Sequence, residues 1–398
     1  MRIWSINPIL NIVDTLFVKH RSPIFLGYLW NFGVFSFLCL FIQIFTGLFL
    51  AMHYVPDTNE AFNSVEHIMR DVNNGWFLRY THANGASFFF IAVYIHVFRG
   101  LYYGSFTHPR QAVWYVGSII LLLMILTAFM GYVLPWGQMS YWAATVITNM
   151  LSALPVVGKS LVEWVWGGYS VGGPTLTRFY ALHYLMPFVI LVLVFYHIYL
   201  LHRVGSSNGM GIQTRVDDKP FYPYYIAKDI FAIILFFMPF AFFVFFYPNA
   251  LGHPDNYVPA NPLVTPSHIV PEWYFLPFYA ILRSIPNKVA GVIAMGLSIV
   301  SIALVPAVQK PFIRSIEFRP TSRFFYWWFF FCCVVLSWIG SQLAKYPYTE
   351  IGQISTIFYF AYFWLIMPVV IYLENQFGAK DIKRPDSSEI LGWLYTST

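Results

Sequence analysis

Four histidines stand inside apolar runs at one repeated interval: His82 and His96 in one run, His183 and His197 in another, each pair 14 residues apart. On an α-helix, 14 steps of about 100° return to within about 40° of the starting direction and rise about 21 Å, most of a bilayer core of about 30 Å. Each helix therefore offers two imidazoles on one face, one near each side of a membrane. Two such helices side by side make two stacked His–His pairs, the axial ligation expected of two six-coordinate haems. A single intramembrane histidine is as readily a hydrogen-bonded core residue. Ionisable groups are nevertheless costly in lipid and tend to mark function, and a repeated interval on two helices is hard to reach by accident.

A porphyrin also needs room between helices. Gly33 and Gly47 lie in one apolar run, Gly117 and Gly131 in another, again 14 apart. Glycine lets a flat ring approach the backbone closely, although small residues also serve plain helix packing. Arg79 and Arg99 each stand three residues from a histidine of the set. Their guanidinium groups suit haem propionates, and interfacial snorkelling is the alternative. The only cysteines are Cys39, Cys332 and Cys333, with no C-x-x-C-H among them. That pattern excludes covalent c-type attachment, an iron–sulfur cluster and a disulfide framework, leaving non-covalent b-type haem.

The elements that must carry these residues are membrane spans. Hydrophobic residues make up 58% of the 398 and charged residues only 10%, and the mean hydropathy is +0.61. The fold class is all-α: a polytopic membrane protein with a haem-binding four-helix bundle. Eight apolar stretches are long enough to span, at 33–52, 83–103, 113–134, 180–201, 230–248, 289–308, 324–343 and 354–373. A division follows at 210/211: a dihaem bundle over 1–210 and a C-terminal transmembrane region over 211–398. Residues 3–19 mix polar and apolar side chains as a surface-lying amphipathic helix does, and nothing before them resembles a removable signal peptide.

With eight spans both termini lie on one side. That side's segments hold 15 of the 23 lysines and arginines, the opposite loops 7, and Arg99 sits at a helix end. The positive-inside rule puts both termini in the matrix or cytoplasm, so the net charge of +6 reflects topology and no nucleic-acid patch. Spans two and four then run parallel. His82 comes level with His183 near the outer face, and His96 with His197 near the inner face.

Five long strings match one family: RYTHANGASFF at 79–89, FRGLYYGS at 98–105, TAFMGYVLPWGQMSYW at 127–142, LGHPDNYVPANPLVTPSHIVPEWYFLP at 251–277 and AILRSIPNK at 280–288. On these the chain resembles, over essentially its whole length, cytochrome b of the respiratory cytochrome bc complex (complex III). The photosynthetic relative has a shorter chain and a second ligand pair one residue wider. The equal 14-residue pairs and fused later spans here favour the respiratory, mitochondrial type.

The resemblance implies a quinol-oxidising, proton-translocating core subunit of a quinol:cytochrome c oxidoreductase. His82 and His183 would ligate the outer haem iron, His96 and His197 the inner. The outer quinol-oxidation site would be built from the GYVLPWG region, including Tyr132, and from Pro271, Glu272, Trp273 and Tyr274, with Tyr279 nearby. The inner quinone-reduction site would match Trp30, Asn31, His202, Ser206, Lys228 and Asp229. It further implies ubiquinone as substrate, a Rieske iron–sulfur protein, cytochrome c1 and accessory subunits as partners, a homodimeric complex, and the mitochondrial inner membrane, a bacterial plasma membrane being the alternative.

The residues themselves are compatible with those roles. Glu272 follows the fifth span, on the outer side, where a carboxylate can accept a quinol proton. His202 and Asp229 flank the inner membrane face, where an imidazole and a carboxylate can deliver protons to a quinone; a first-turn Asp complementing the helix dipole is the plainer account. The loop at 137–174, with helical pieces at 138–150 and 158–166, is a docking surface or an interfacial lid. One departure stands out. Relatives usually read W-G-A-T after GQMS, whereas this chain has Trp142, Ala143, Ala144 and Thr145. A methyl at Ala143 beside a tight outer pocket predicts resistance to rigid methoxyacrylate-type inhibitors. A dihaem anchor of a dehydrogenase and a histidine-relay transporter are the other classes with four intramembrane histidines; an anchor usually has fewer spans and no PEWY loop.

Overall fold

The computed structural model describes residues 18–24, 26–211 and 218–378, together with positions 7, 10, 11 and 14. Most of the expected surface helix at 3–19 lies outside the described residues, as do Arg215, Lys380, Lys383 and Arg384.

In lipid every backbone N–H and C=O must be bonded within its own segment, so apolar runs of this length become helices. In chain order the helices are α1 (Phe32–Ala51), entered through a 3-10 turn at Tyr28–Asn31, α2 (Ala61–Arg70), α3 (Gly75–Tyr102), α4 (Gln111–Val133), α5 (Gln138–Asn149), α6 (Gly158–Trp166) and α7 (Gly173–Val204). Then come α8 (Tyr224–Phe246), α9 (Leu276–Ser284), α10 (Lys288–Val308), α11 (Pro320–Gly340), α12 (Tyr348–Ala361) and α13 (Met367–Gly378), the last two joined by a π turn at Tyr362–Ile366. Among the described residues eight helices are long and apolar enough to cross a membrane: α1, α3, α4, α7, α8, α10, α11 and the continuous α12–α13. Pro187, Pro239 and Pro306 lie inside spans, where neighbouring helices can satisfy the freed carbonyls.

Several spans run beyond the apolar stretches that reveal them. α3 begins at Gly75, eight residues before its apolar run, and α7 spans 32 residues. A hydropathy pattern marks only the hydrocarbon-facing part of a helix, whereas the hydrogen-bonded ladder continues through the headgroup region. The start of α3 is set locally: Asn74 adopts φ 58°, and a Cβ on Gly75 would meet the Ile68 carbonyl at the end of α2. Asparagine tolerates this left-handed conformation better than most residues.

α1 packs along α3, and α4 along α7. Their shared core is Cys39, Leu40, Phe88, Phe90, Met124 and Ile190, completed by Phe240 and Val244 of α8 and by Tyr274. α8 therefore contributes to the core of the N-terminal bundle, although it follows residue 210. A second core joins α9 to α13 through Ile281, Leu336, Ile339, Tyr359 and Phe363, and the C-terminal end of α3 enters it through Leu101. A third lies under the loops between α4 and α7, around Val133, Trp136, Tyr141 and Leu176. Apolar side chains such as Phe41, Val192 and Met238 are exposed on the spans, as expected where lipid is the solvent. A two-stranded antiparallel ribbon, β1 (Arg21–Pro23) with β2 (Asp218–Pro220), ties the N-terminal segment to the approach to α8.

The start of α11 is fastened to α13 by one carboxylate. Glu374 accepts from Arg319 at 3.2 Å and from the backbone N–H and hydroxyl of Ser322 at 3.0 and 2.6 Å. Arg319 is only 4% exposed, so removing its partner strands a buried charge, at a typical cost of about 3–5 kcal/mol. Glu374→Ala is expected to lower the thermal inactivation temperature of the detergent-extracted protein sharply. Glu374→Gln, which keeps two acceptor contacts, should lower it less.

Candidate functional site

The histidines meet in pairs at two levels. The rings of His82 and His183 have centroids 6.2 Å apart, and those of His96 and His197 6.4 Å. First meets first and second meets second, so α3 and α7 run parallel. Two metal–imidazole bonds of about 2 Å plus the radius of each ring separate ring centres by about 6 Å. Both pairs have the separation that one ligated metal between them requires. Among the described residues no cluster of three or more His, Cys, Asp or Glu forms a metal site, so each pair is at most a two-ligand centre.

Each of the four glycines abuts one of the four imidazoles. A Cβ on Gly33 would stand 3.3 Å from Cε1 of His96, one on Gly47 3.1 Å from His82 and one on Gly117 3.0 Å from His197. One on Gly131 would collide with His183 outright. The flat ring that first needs the glycine notch is thus the imidazole itself. Second partners then orient three of the rings. Nδ1 of His183 donates to the Thr127 carbonyl at 2.8 Å. Nδ1 of His82 lies 2.9 Å from the Thr46 hydroxyl, whose proton goes to the Ile42 carbonyl, so the imidazole donates. Both leave Nε2 as the free lone pair, the arrangement of a metal-ligating histidine. His96 differs: Arg99 donates to its Nδ1 at 3.0 Å. Nδ1 of His197 is buried with no hydrogen-bond partner.

Two cavities of about 190 and 120 Å³ flank the His82/His183 pair, and Gln43, Arg79, Gly131 and Pro187 line both. Together they form a slot on either side of the pair. The larger cavity also takes in Tyr132, Asn256, Tyr257, Glu272 and Tyr274. The segment carrying Glu272 is pinned to α3: Trp273 Nε1 donates to Ser87 at 3.0 Å, the Tyr274 ring stacks on Phe90 at 4.1 Å, and its carbonyl accepts from Tyr94. The GYVLPWG turn is held from the other side. Trp136 takes φ 54°, a strained region for a bulky residue of the kind that clusters at functional sites. Ser140 bridges the Tyr132 carbonyl and the Asn256 side chain. A Cβ on Gly137 would strike the Asn256 backbone, so only glycine allows that approach. Tyr279 donates to the Ile269 carbonyl at 3.3 Å, with Arg283 over its ring, and Pro271 stands next to Glu272 in the same segment. Ala143 is buried in α5 at 3% exposure, and neither cavity's lining includes it.

Burial pushes the Glu272 carboxyl up to about 7, against the opposing pull of the Tyr132 hydroxyl and the Arg79 guanidinium. Burial, then the Glu272 charge, pushes the Tyr274 phenol well above its usual range. Because the folded value of Glu272 is raised, its contribution to stability is complete below about pH 4 and is lost as pH rises through about 7. Near neutrality it exchanges a proton at little cost, which is what a general base needs.

At the other level, Trp30 packs on Tyr103 at 4.7 Å with Arg99 over its ring at 5.5 Å. Asn31 donates to Asp229 at 2.6 Å, and Lys228 donates to the carbonyls of Leu26 and Gly27. Ser206 takes part through its carbonyl, which accepts from Arg110. His202 stacks on His20, a residue that carries no signal in the sequence beyond being a histidine ahead of the first span. Gln43, Thr46, Thr127 and Asn256 were equally invisible, since each acts through a neighbour that only the fold supplies. Trp30 Nε1, Asn31 Oδ1 and His202 Nδ1 are among the buried polar atoms at this end that lack partners. Such groups are rare in folded proteins and fit a polar ligand.

The Glu272 assignment is directly observable. Difference infrared spectroscopy between about pH 6 and 8 should show a protonated carboxyl band that disappears with a midpoint near 7, and that band should be missing in Glu272→Gln.

Residues 17–205 match the cytochrome b/b6/petB family, and residues 259–360 match the cytochrome b(C-terminal)/b6/petD family. The chain is 57% identical over 368 residues to cytochrome b of Chondrus crispus, covering 92% of this chain and 97% of that one. It is 56% identical over 355 residues to cytochrome b of Phytophthora megasperma, covering 89% and 93%. Among solved structures, a chain of a hyperthermophilic respiratory complex III superposes with a TM-score of 0.87 at 34% identity, covering 92% of this chain and 97% of that one. With both halves matched and curated relatives of nearly equal length, the chain belongs to the cytochrome b family.

Proposed function

We propose that the chain is the dihaem core subunit of a quinol:cytochrome c oxidoreductase, oxidising ubiquinol at an outer site and reducing ubiquinone at an inner one. One observation carries this reading: Glu272 and the His82/His183 pair line the same cavity. A proton acceptor and an electron exit therefore face one substrate. Two b-type haems, when bound, supply the electron path across the membrane. His82 and His183 would hold the outer one, His96 and His197 the inner. The ring separations and the four glycine notches fit that group. Arg79 and Arg99 would hold propionates. For Arg99 this requires turning away from His96, which frees Nδ1 to carry the proton and Nε2 to ligate.

Oxidation of a quinol releases two electrons and two protons. Glu272, poised near 7, takes one proton and passes it toward the outer aqueous side. One electron leaves to an acceptor outside the membrane, for which a Rieske iron–sulfur protein and then cytochrome c1 are the partners. The other electron crosses to the inner level, where Asp229 and His202 supply protons to quinone. Charge thus crosses as electrons, and the subunit contributes to proton translocation without a proton channel (a Q cycle). The basic-residue asymmetry supports both termini on the matrix side of the mitochondrial inner membrane. Accessory subunits, a homodimeric complex and docking on the 137–174 loop complete the reading.

Reduced-minus-oxidised spectra test the pairing. His82→Ala and His183→Ala are expected to remove the same b-type band, and His197→Ala the other. Gly131→Ala should remove the first band as well, because its Cβ displaces His183, whereas Gly33→Ala, the mildest of the four clashes, should keep the second; overpacking of this kind costs about 1–3 kcal/mol.

Glu272→Gln keeps the size but removes the base. Quinol oxidation should fall at least about tenfold with both bands intact, general-base contributions being typically 10²–10⁴-fold. In the native chain the rate should climb with pH to a plateau above about 7. The variant should lose that limb.

A further inference from the structure

The ring of His20 lies on that of His202 with centroids 4.1 Å apart and planes 18° from parallel. Its position is built into the fold. The His20 carbonyl accepts from the Phe221 N–H at 2.7 Å, and the β1–β2 register sets Arg21 opposite Pro220 and Pro23 opposite Asp218. Tyr225 of α8 closes the ribbon by donating to the Pro23 carbonyl.

The charged groups around the stack are mostly engaged elsewhere. Lys19 pairs with Asp14, and Arg21 donates to the Asp218 carbonyl. From α8, Lys228 is bonded to Leu26 and Gly27, and Asp229 to Asn31. Lys219 lies over the Tyr224 ring, and Arg203 follows His202 in the chain. The acid that acts on His20 is Asp218, whose Oδ1 is buried with no hydrogen-bond partner. Burial holds His20 below its ordinary value, and the Asp218 carboxylate pulls it back up.

We propose that His20 and His202 form one imidazole pair that holds a single proton for the inner quinone-reduction site, with Asp218 biasing that proton toward His20. The proposal rests on the inner-site reading above. Two imidazolium rings at this separation repel, so the pair binds one proton where two separate histidines would bind two. Reduction of a quinone consumes two electrons and two protons. The pair supplies one of the protons through His202, and His20 is a positioning residue that acts through His202 without touching the quinone. Stacking alone would serve packing, but it would give no reason for an unpartnered Nδ1 on His202 and a buried carboxylate oxygen of Asp218 with no hydrogen bond beside His20.

The test uses the assembled complex, its outer site silenced by loss of the outer acceptor. The rate at which a short-chain ubiquinone re-oxidises the inner haem is followed from about pH 6 to 9, the range in which a histidine proton is decided. His20→Phe keeps an aromatic ring on His202 but no titratable group. Its alkaline limb is expected to move to lower pH by half a unit or more, because the site that Asp218 favours for the shared proton is gone and His202 must hold it alone. Asp218→Asn should move it the same way by less, and His20→Lys, whose ammonium repels a proton on His202, the same way by more. A His20→Phe profile that superposes on the native one overturns the proposal. His202→Phe and Asp229→Asn separate that failure from failure of the inner-site reading itself: if they too leave the reaction unchanged, the reading falls. If they abolish it while His20→Phe is silent, only the pair falls.

Discussion

Everything in the N-terminal half hangs on the fit of four imidazole edges into four glycine notches. Inside a bilayer a histidine has no water to turn to, so its ring must find partners on a neighbouring helix. A 14-residue step brings both a histidine and a glycine back to nearly the same helix face. α3 and α7 then carry the rings, α1 and α4 carry the notches, and the two helix pairs close into one bundle. Parallel spans, equal levels and the 6 Å ring separations all follow from that one repeat.

The two levels are otherwise unlike. Around His82 and His183 the second partners are neutral, a threonine hydroxyl and a backbone carbonyl, and the adjoining cavity contains a buried carboxyl. Around His96 and His197 the nearest polar group is a guanidinium, and beyond it lie an amide, a carboxylate and stacked imidazoles. A site that must remove protons from its substrate is served by a base half ionised near neutrality. A site that must add them is served by several groups at the aqueous boundary. Two nearly identical histidine pairs thus stand in unlike surroundings.

The repeat, the eight spans and the pairing levels were legible because each rests on a period or a length. The helical pieces after the GYVLPWG turn were legible for the same reason, at Gln138–Asn149 and Gly158–Trp166. The positions of helix ends were not, because polar residues such as Arg79 and Thr81 continue the ladder of α3 beyond the apolar run. Nor was the purpose of the glycines fully legible: they read as clearance for a porphyrin, while the contacts they relieve are with imidazoles. Thr46, Thr127 and Gln43 are ordinary residues of apolar helices until the fold sets them beside a histidine. Placing α8 by chain order also misleads, since Phe240 and Val244 pack where the first 210 residues leave their core incomplete.

α3 is what joins these parts into one device. One of its faces presents His82 to His183, and other faces receive the Glu272 segment through Ser87, Phe90 and Tyr94, while Asn84 holds the Pro248 carbonyl just after the end of α8. A single helix is stiff over a few turns, so the spacing between the histidine pair and the carboxylate is fixed as long as the Trp273 and Tyr274 contacts hold that segment on α3. Proximity of this kind is worth most when neither group has to be ordered at the moment of reaction. The C-terminal end of the same helix, through Leu101 and Tyr102, packs into the C-terminal core and bonds Glu317. The C-terminal spans thereby hold the ruler on which the histidine pair and the carboxylate are laid out, which gives a physical reason for the histidine-bearing bundle to be fused to the helices that follow it.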